Sequence, residues 1–220
     1  AIAVLAVAFA VFAAIPAADA EDATTPDFGK IKVKVGTDYL TREGNKVCEY
    51  DTMNAAFEAI EKVTNEGEIV VECAADKPVN FGGNHDPKIT KSLTIEGNNA
   101  YVMSLADGKY VLGGNIAYND TEGKVTTNID LVINDLDGVR VWGNPGDHSF
   151  NITLNGCDSI EDKGTITSAD FAFGVMLRAE ATTGIVNITV QNCKFGPNSL
   201  SASIHATAAG TVTVKDCEFE

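Results

Sequence analysis

From residue 66 onward one short pattern recurs: an apolar residue, any residue, a second apolar residue, two residues of any kind, then a small or apolar one. It reads Ile69-Val-Val71 with Ala74, Leu93-Thr-Ile95 with Asn98, and Leu131-Val-Ile133 with Leu136. It continues as Ile152-Thr-Leu154 with Cys157, Ile188-Thr-Val190 with Cys193, and Val212-Thr-Val214 with Cys217. The first positions are 24, 38, 21, 36 and 24 residues apart, and three of these five steps suit one coil of a solenoid. Alternate apolar residues with Thr between them make a strand buried on one face.

The pairs after five of these strands are Glu96-Gly97, Asn134-Asp135, Asn155-Gly156, Gln191-Asn192 and Lys215-Asp216. Gly, Asn and Asp tolerate left-handed backbone, so most of these pairs can turn the chain sharply. One corner and two inward-facing segments per coil wrap a narrow core, and stacked coils pair strand to strand in parallel. The expected fold class is therefore all-β, a right-handed parallel β-helix. The hand comes from the general preference of parallel crossovers, not from the repeat itself.

The competing fold is an antiparallel sandwich of hairpins, which expects turns every ~8–12 residues and no equivalent positions at a longer period. The close match of Asn187-Ile-Thr-Val-Gln-Asn-Cys-Lys-Phe195 to Thr211-Val-Thr-Val-Lys-Asp-Cys-Glu-Phe219 favours the solenoid. In that fold residues 69, 93, 131, 152, 188 and 212 stack in one column. The two long steps each hold either a protruding hairpin or loop, or two thin coils. The first contains Tyr101, Tyr110 and Tyr118; the second contains Phe171, Phe173, Met176 and Arg178. Insertions in solenoids collect on one face and often form the binding surface.

Three divisions follow: an export segment over 1–20, an N-terminal strand and capping helix over 21–66, and coils over 67–220. Ala1 to Ile15 is wholly apolar, and Pro16 with Ala18 and Ala20 suits a signal peptidase site before Glu21. Fifteen apolar residues are short for a membrane span, although an uncleaved segment would be a membrane anchor. Lys30-Ile-Lys-Val-Lys-Val35 reads as an edge strand. Asp51 and Thr52 precede Met53, Ala56, Phe57, Ile60 and Val63, whose spacing predicts an amphipathic helix ending at Asn65-Glu-Gly67. Such a helix would cover the open end of the first coil. The sequence stops at Phe219-Glu220, inside a motif, which suggests a truncated piece of a longer solenoid.

Charge narrows the partners. With 31 acidic and 16 basic residues, the formal net charge is −15, which argues against nucleic acid and against an anionic membrane surface. It suits solubility outside the cell or the binding of divalent cations such as calcium. Cys157, Cys193 and Cys217 share one motif position and should stack in the core, either as buried thiols or with one pair bridged. Cys48 and Cys73 flank the predicted helix and could be joined by a disulfide. No C-x-x-C or His cluster points to a metal. The sequons at Asn119, Asn151 and Asn187 permit glycosylation without indicating it.

Gly67-Glu-Ile-Val-Val-Glu72 followed by Ile89-Thr-Lys-Ser-Leu-Thr-Ile-Glu-Gly97 resembles the pectate-lyase-like parallel β-helix superfamily over residues 50–220. That resemblance implies the fold. It leaves activity open, because the lyases use clustered aspartates with calcium and a basic residue, and the hydrolases use paired aspartates with Gly-His-Gly and Arg-Ile-Lys. This sequence has no Asp-Asp pair, no Gly-His-Gly and no Arg-Ile-Lys. Asp147, His148, Asp158, Glu161 and Asp162 could gather a cation and a base, but a solvated acidic loop accounts for them as well.

Within the superfamily the chain is most similar to microbial adhesin-like surface proteins. This implies a non-catalytic secreted or cell-surface protein that binds a glycan or another surface. The alternative is a polysaccharide lyase or hydrolase whose catalytic coils lie outside this segment. The candidate sugar-binding rings are Tyr101, Tyr110, Tyr118, Trp142, Phe171 and Phe173.

Overall fold

The computed structural model describes residues 25–64, 67–82, 87–106, 108–118, 127–143, 148–158, 174–175, 177–179, 184–195, 204–206 and 209–219. These residues are mostly β-strand with one helix, and the repeated strands pair in parallel. The predicted export segment lies outside the described residues.

In strand β1 (Ile31–Val35), Ile31 and Val33 are buried and alternate with outward lysines. Gly36, at φ 64°, turns the chain into β2 (Asp38–Tyr39), and β3 (Thr41–Arg42) with β4 (Lys46–Val47) makes a second small hairpin. Helix α1 (Met53–Glu61) starts where the Thr52 hydroxyl accepts the Ala55 N–H at 3.1 Å. It buries Met53, Ala56, Phe57 and Ile60 from the predicted stripe and ends with Lys62 as its C-cap, before the predicted stop signal. The Lys91 ammonium donates to the Val63 carbonyl just past that end. A side chain at Gly82 would meet Asn54, so the helix lies against the chain at that glycine.

The repeat begins with β5 (Ile69–Cys73), which pairs antiparallel with β1. This corrects one expectation: β1 is not an edge strand, because the β1–β2 turn lays β2 along its free side. The remaining strands in order are β6 (Pro78–Asn80), β7 (Leu93–Ala106), β8 (Lys109–Leu112), β9 (Gly114–Tyr118), β10 (Ile129–Asp137) and β11 (Val139–Gly143). After them come β12 (Phe150–Asn155), β13 (Gly174–Val175), β14 (Leu177–Ala179) and β15 (Ile185–Gln191). The last are β16 (Lys194–Phe195), β17 (Ile204–Ala206), β18 (Ala209–Lys215) and β19 (Glu218–Phe219).

Parallel ladders organise them. One runs β5, β7, β10, β12, β15, β18. Its register sets Leu93 opposite Leu131, Leu131 opposite Ile152, Ile152 opposite Ile188, and Ile188 opposite Val212. Val71 opposite Ile95 brings the first motif into the same rows. The first apolar positions therefore line up in parallel, as a solenoid requires and a sandwich of hairpins does not. A second set joins β6 to the end of β7, the end of β7 to the end of β10, and β16 to β19. A third joins β9, β11 and β13, with Lys88 bridging to Ala117 beside it, and β14 pairs with β17. The core between them holds aliphatic residues, Met, Phe and Cys; among the described residues no polar or charged residue is buried.

Asp135, Gly156, Asn192 and Asp216, the second residue of four corner pairs, all have positive φ. The Glu96-Gly97 corner differs. The left-handed residues there are Asn98 and Asn99, and the register shifts so that Leu136 sits opposite Ala100. The inward residue is therefore Ala100, fully buried, and not Asn98. Gly97 itself lies against the next corner, where a Cβ would come 2.2 Å from the Asp135 carbonyl oxygen. Ala74, the matching position of the first motif, is only half-buried. The first long step holds an antiparallel hairpin, with Met103 opposite Leu112 and Ala106 opposite Lys109. Residues 159–173 of the second long step lie outside the described residues.

Candidate functional site

Lys32 of β1 and Lys30 just before it face a cavity of about 490 Å³ also lined by Phe28, Tyr39, Glu49, Glu72, Lys77 and Asn98, among others. The antiparallel register sets Lys32 beside Glu72, and outward alternation brings Lys34 to the same carboxylate. The Tyr39 hydroxyl donates to Glu72 at 2.5 Å, and the Lys34 ammonium lies 4.6 Å from the Tyr39 ring centre. Lys32 pairs with Glu49 at 3.5 Å, Lys77 with Asp27 at 2.6 Å, and Lys30 with Asp51.

These pairs set the local charge states. Burial draws Glu72 toward its protonated form, but hydrogen bonds from Lys34 and Tyr39 outweigh it and hold the carboxyl below the ordinary glutamate value. The hydrogen bond to Glu72, then that to Tyr39, holds Lys34 above the usual lysine value. Lys77 lowers Asp27 in the same way. The left-handed turn at Asn98 lets its amide donate to the Cys73 carbonyl at 2.9 Å and forms one wall. Gly29 allows the segment before β1 to close another: a Cβ there would come 2.8 Å from that of Ala74.

Two of the predicted aromatic residues border this region. Tyr110, on the hairpin strand β8, packs against Phe28 with ring centres 4.9 Å apart and planes inclined by 60°. Tyr101 lies on β7 opposite Pro78, and its N–H donates to the Lys77 carbonyl. The backbones of Tyr118 and Trp142 lie on β9 and β11, away from the groove residues in sequence, and their side chains lie outside the described residues. Phe171 and Phe173 also lie outside them. The sequence reading missed Phe28, Tyr39, Glu49 and Lys77, which sit at no repeating motif position, and Glu72, which occupies the same place after its motif as Glu96 but carries no signal of a site. The groove's one visible trace was the Lys-x-Lys-x-Lys alternation.

The cysteines are all free thiols, including Cys48 and Cys73. Cys157, Cys193 and Cys217 donate respectively to the carbonyls of Ile133, Leu154 and Val190, each on the preceding strand of the ladder, at 3.5, 3.9 and 3.5 Å. Burial pushes the Cys157 thiol far up, and raises Cys73 and Cys193 to about 12.

Of the acidic cluster, Asp147, Glu161 and Asp162 lie outside the described residues, and the Asp158 carboxylate, just after β12, accepts the Lys194 N–H of β16 at 2.8 Å. No group of three or more metal-ligating side chains occurs among the described residues. Asn151 and Asn187 join an amide ladder: Asn151 donates to Asp130 at 2.6 Å and Asn187 to Asn151 at 2.8 Å.

Among the described residues no helix is long and apolar enough to cross a membrane. No family model, curated protein or solved structure matches the chain.

Proposed function

We propose that the chain is a right-handed parallel β-helix of the pectate-lyase-like kind. In this reading it serves as a non-catalytic, adhesin-like module of a secreted or cell-surface protein and binds a glycan in the N-terminal groove. The fold reading rests on the parallel register that sets the first apolar positions of successive motif strands opposite one another and on the preferred hand of parallel crossovers. The export reading rests on the apolar run and small residues at the start of the chain.

One observation carries the binding reading: the groove balances Lys30, Lys32 and Lys77 against Asp27, Glu49 and Glu72, in a chain whose formal net charge is −15. Sugar hydroxyls both donate and accept hydrogen bonds, so a groove of balanced charge that offers both donors and acceptors suits a neutral saccharide. A net-acidic groove would repel an acidic one. The paired Phe28 and Tyr110 rings supply apolar surface beside it.

The test is a glycan array probed with the full chain, followed by titration of any hit against Lys77→Ala and Glu49→Gln. Binding that weakens at least tenfold in both variants supports the reading. Absence of binding on the array and on whole cells, or binding that both variants retain, contradicts it.

A further inference from the structure

We infer that Tyr39 is the stacking platform of the N-terminal groove, and that the sugar it takes is a neutral pyranose of the gluco configuration. This rests on the glycan reading of the groove and names the ring and the sugar class within it. In the sheet, β1 lies between β2, which carries Tyr39, and β5, which carries Glu72. The Tyr39 hydroxyl nevertheless reaches the Glu72 carboxylate at 2.5 Å, so the phenol ring lies across β1.

Two lysines of β1 show which way the ring faces. The Lys34 ammonium sits over the ring, 4.6 Å from its centre, and Lys34 does not line the cavity. Lys32, two residues back on the same outward side of β1, does line it, as does Tyr39 itself. One face of the ring is therefore capped by a cation, and the other closes the end of the cavity. Glu72 holds the hydroxyl, and Lys34 donates to that same carboxylate. A ring fixed on its far face and at its tip loses little freedom when a ligand lies against it.

That surface selects by the shape of the sugar. A pyranose with every ring hydroxyl equatorial keeps those groups near its own plane and leaves its faces to axial C–H bonds. Such a face meets flat apolar surface on Tyr39. The hydroxyls then point sideways toward the ion pairs of the groove, Lys32 with Glu49 and Lys77 with Asp27, which offer both donors and acceptors. An axial hydroxyl leaves that plane and turns either into the ring or away from the pairs.

Titration of the full chain with cellotetraose and chitotetraose, neutral oligomers of glucose and N-acetylglucosamine, tests this beside mannotetraose of the same linkage, whose units carry one axial hydroxyl. At least one of the first two should bind, about tenfold more tightly than mannotetraose. Tyr39→Leu should weaken that binding about tenfold, whereas Tyr39→Phe, which keeps the flat ring and loses the bond to Glu72, should stay within about threefold of wild type. Nuclear Overhauser contacts between the Tyr39 ring and the axial protons of the sugar read the stacking on the wild type, without any variant. Failure of both gluco oligomers to bind, equally tight binding of mannotetraose, undiminished binding by Tyr39→Leu, a Tyr39→Phe as weak as Tyr39→Leu, or absence of those ring contacts would each overturn the inference. An array hit of another configuration that depends on Lys77 and Glu49 would overturn it while leaving the groove reading intact.

Discussion

Ile152 and Ile188 lie directly opposite each other in parallel strands although 36 residues separate them in the chain. Both are buried, and Ile152 is also opposite Leu131 on its other side. Each such residue packs against the strand before and the strand after it. Removing one therefore loosens two contacts along the row at once.

Ile152→Ala should accordingly destabilise the chain by about 2–5 kcal/mol. Thr153→Ala, on the outward side of the same strand, should change stability by no more than about 0.5 kcal/mol. Equilibrium denaturation in urea measures both. Equal effects would mean that the strand is not buried on one face only.

The corners make a second expectation. Gly156 has φ 64°, and a Cβ there would come 2.3 Å from the Asp135 carboxylate. Gly156→Ala should cost about 1–3 kcal/mol, combining backbone strain with the displaced side chain. Gly44 has φ 80° and nothing within 4 Å, so Gly44→Ala should cost only the backbone part, about 1 kcal/mol. Thermal unfolding of the two variants compares them.

Thiol chemistry should divide the cysteines. Cys73, Cys157 and Cys193 are buried, whereas Cys48 and Cys217 are partly exposed. With their thiols raised by burial, the three buried cysteines hold almost no thiolate at neutral pH. An aromatic disulfide reagent should label two thiols quickly in the native chain and all five only in denaturant. Rapid native labelling of more than two would contradict the packing.

Acid should weaken the N-terminal groove. Glu72 holds its charge below the ordinary glutamate value, so it contributes stability above that value and loses it as pH falls through the lowered one. Glu72→Gln should cost about 1 kcal/mol at neutral pH and flatten the acid limb of the stability curve below about pH 4. An acid limb identical to that of the wild type would assign that stability elsewhere.

The strand rows were legible in the sequence because each is a local alternation repeated at equivalent positions. The α1 stripe was legible for the same reason, since spacing alone places Met53, Ala56, Phe57 and Ile60 on one face. The Asn98 assignment failed because a two-residue shift at one corner is invisible to a fixed template. Ala100, which takes the inward place, looks no different in sequence from any other alanine. The groove was scarcely legible at all. It assembles Asp27, Tyr39, Glu72, Lys77 and Asn98 from five separate segments, and only the antiparallel β1–β5 pairing brings most of them together. Nothing in the repeat specifies that pairing.

The central claim is the in-register stacking of the motif strands, and methyl-labelled nuclear Overhauser spectroscopy tests it most directly. Leu93, Leu131, Ile152, Ile188 and Val212 should show cross-peaks only between neighbours in that order. Cross-peaks that skip a member of the row, or that join Ile152 to Val190 more strongly than to Ile188, would contradict it.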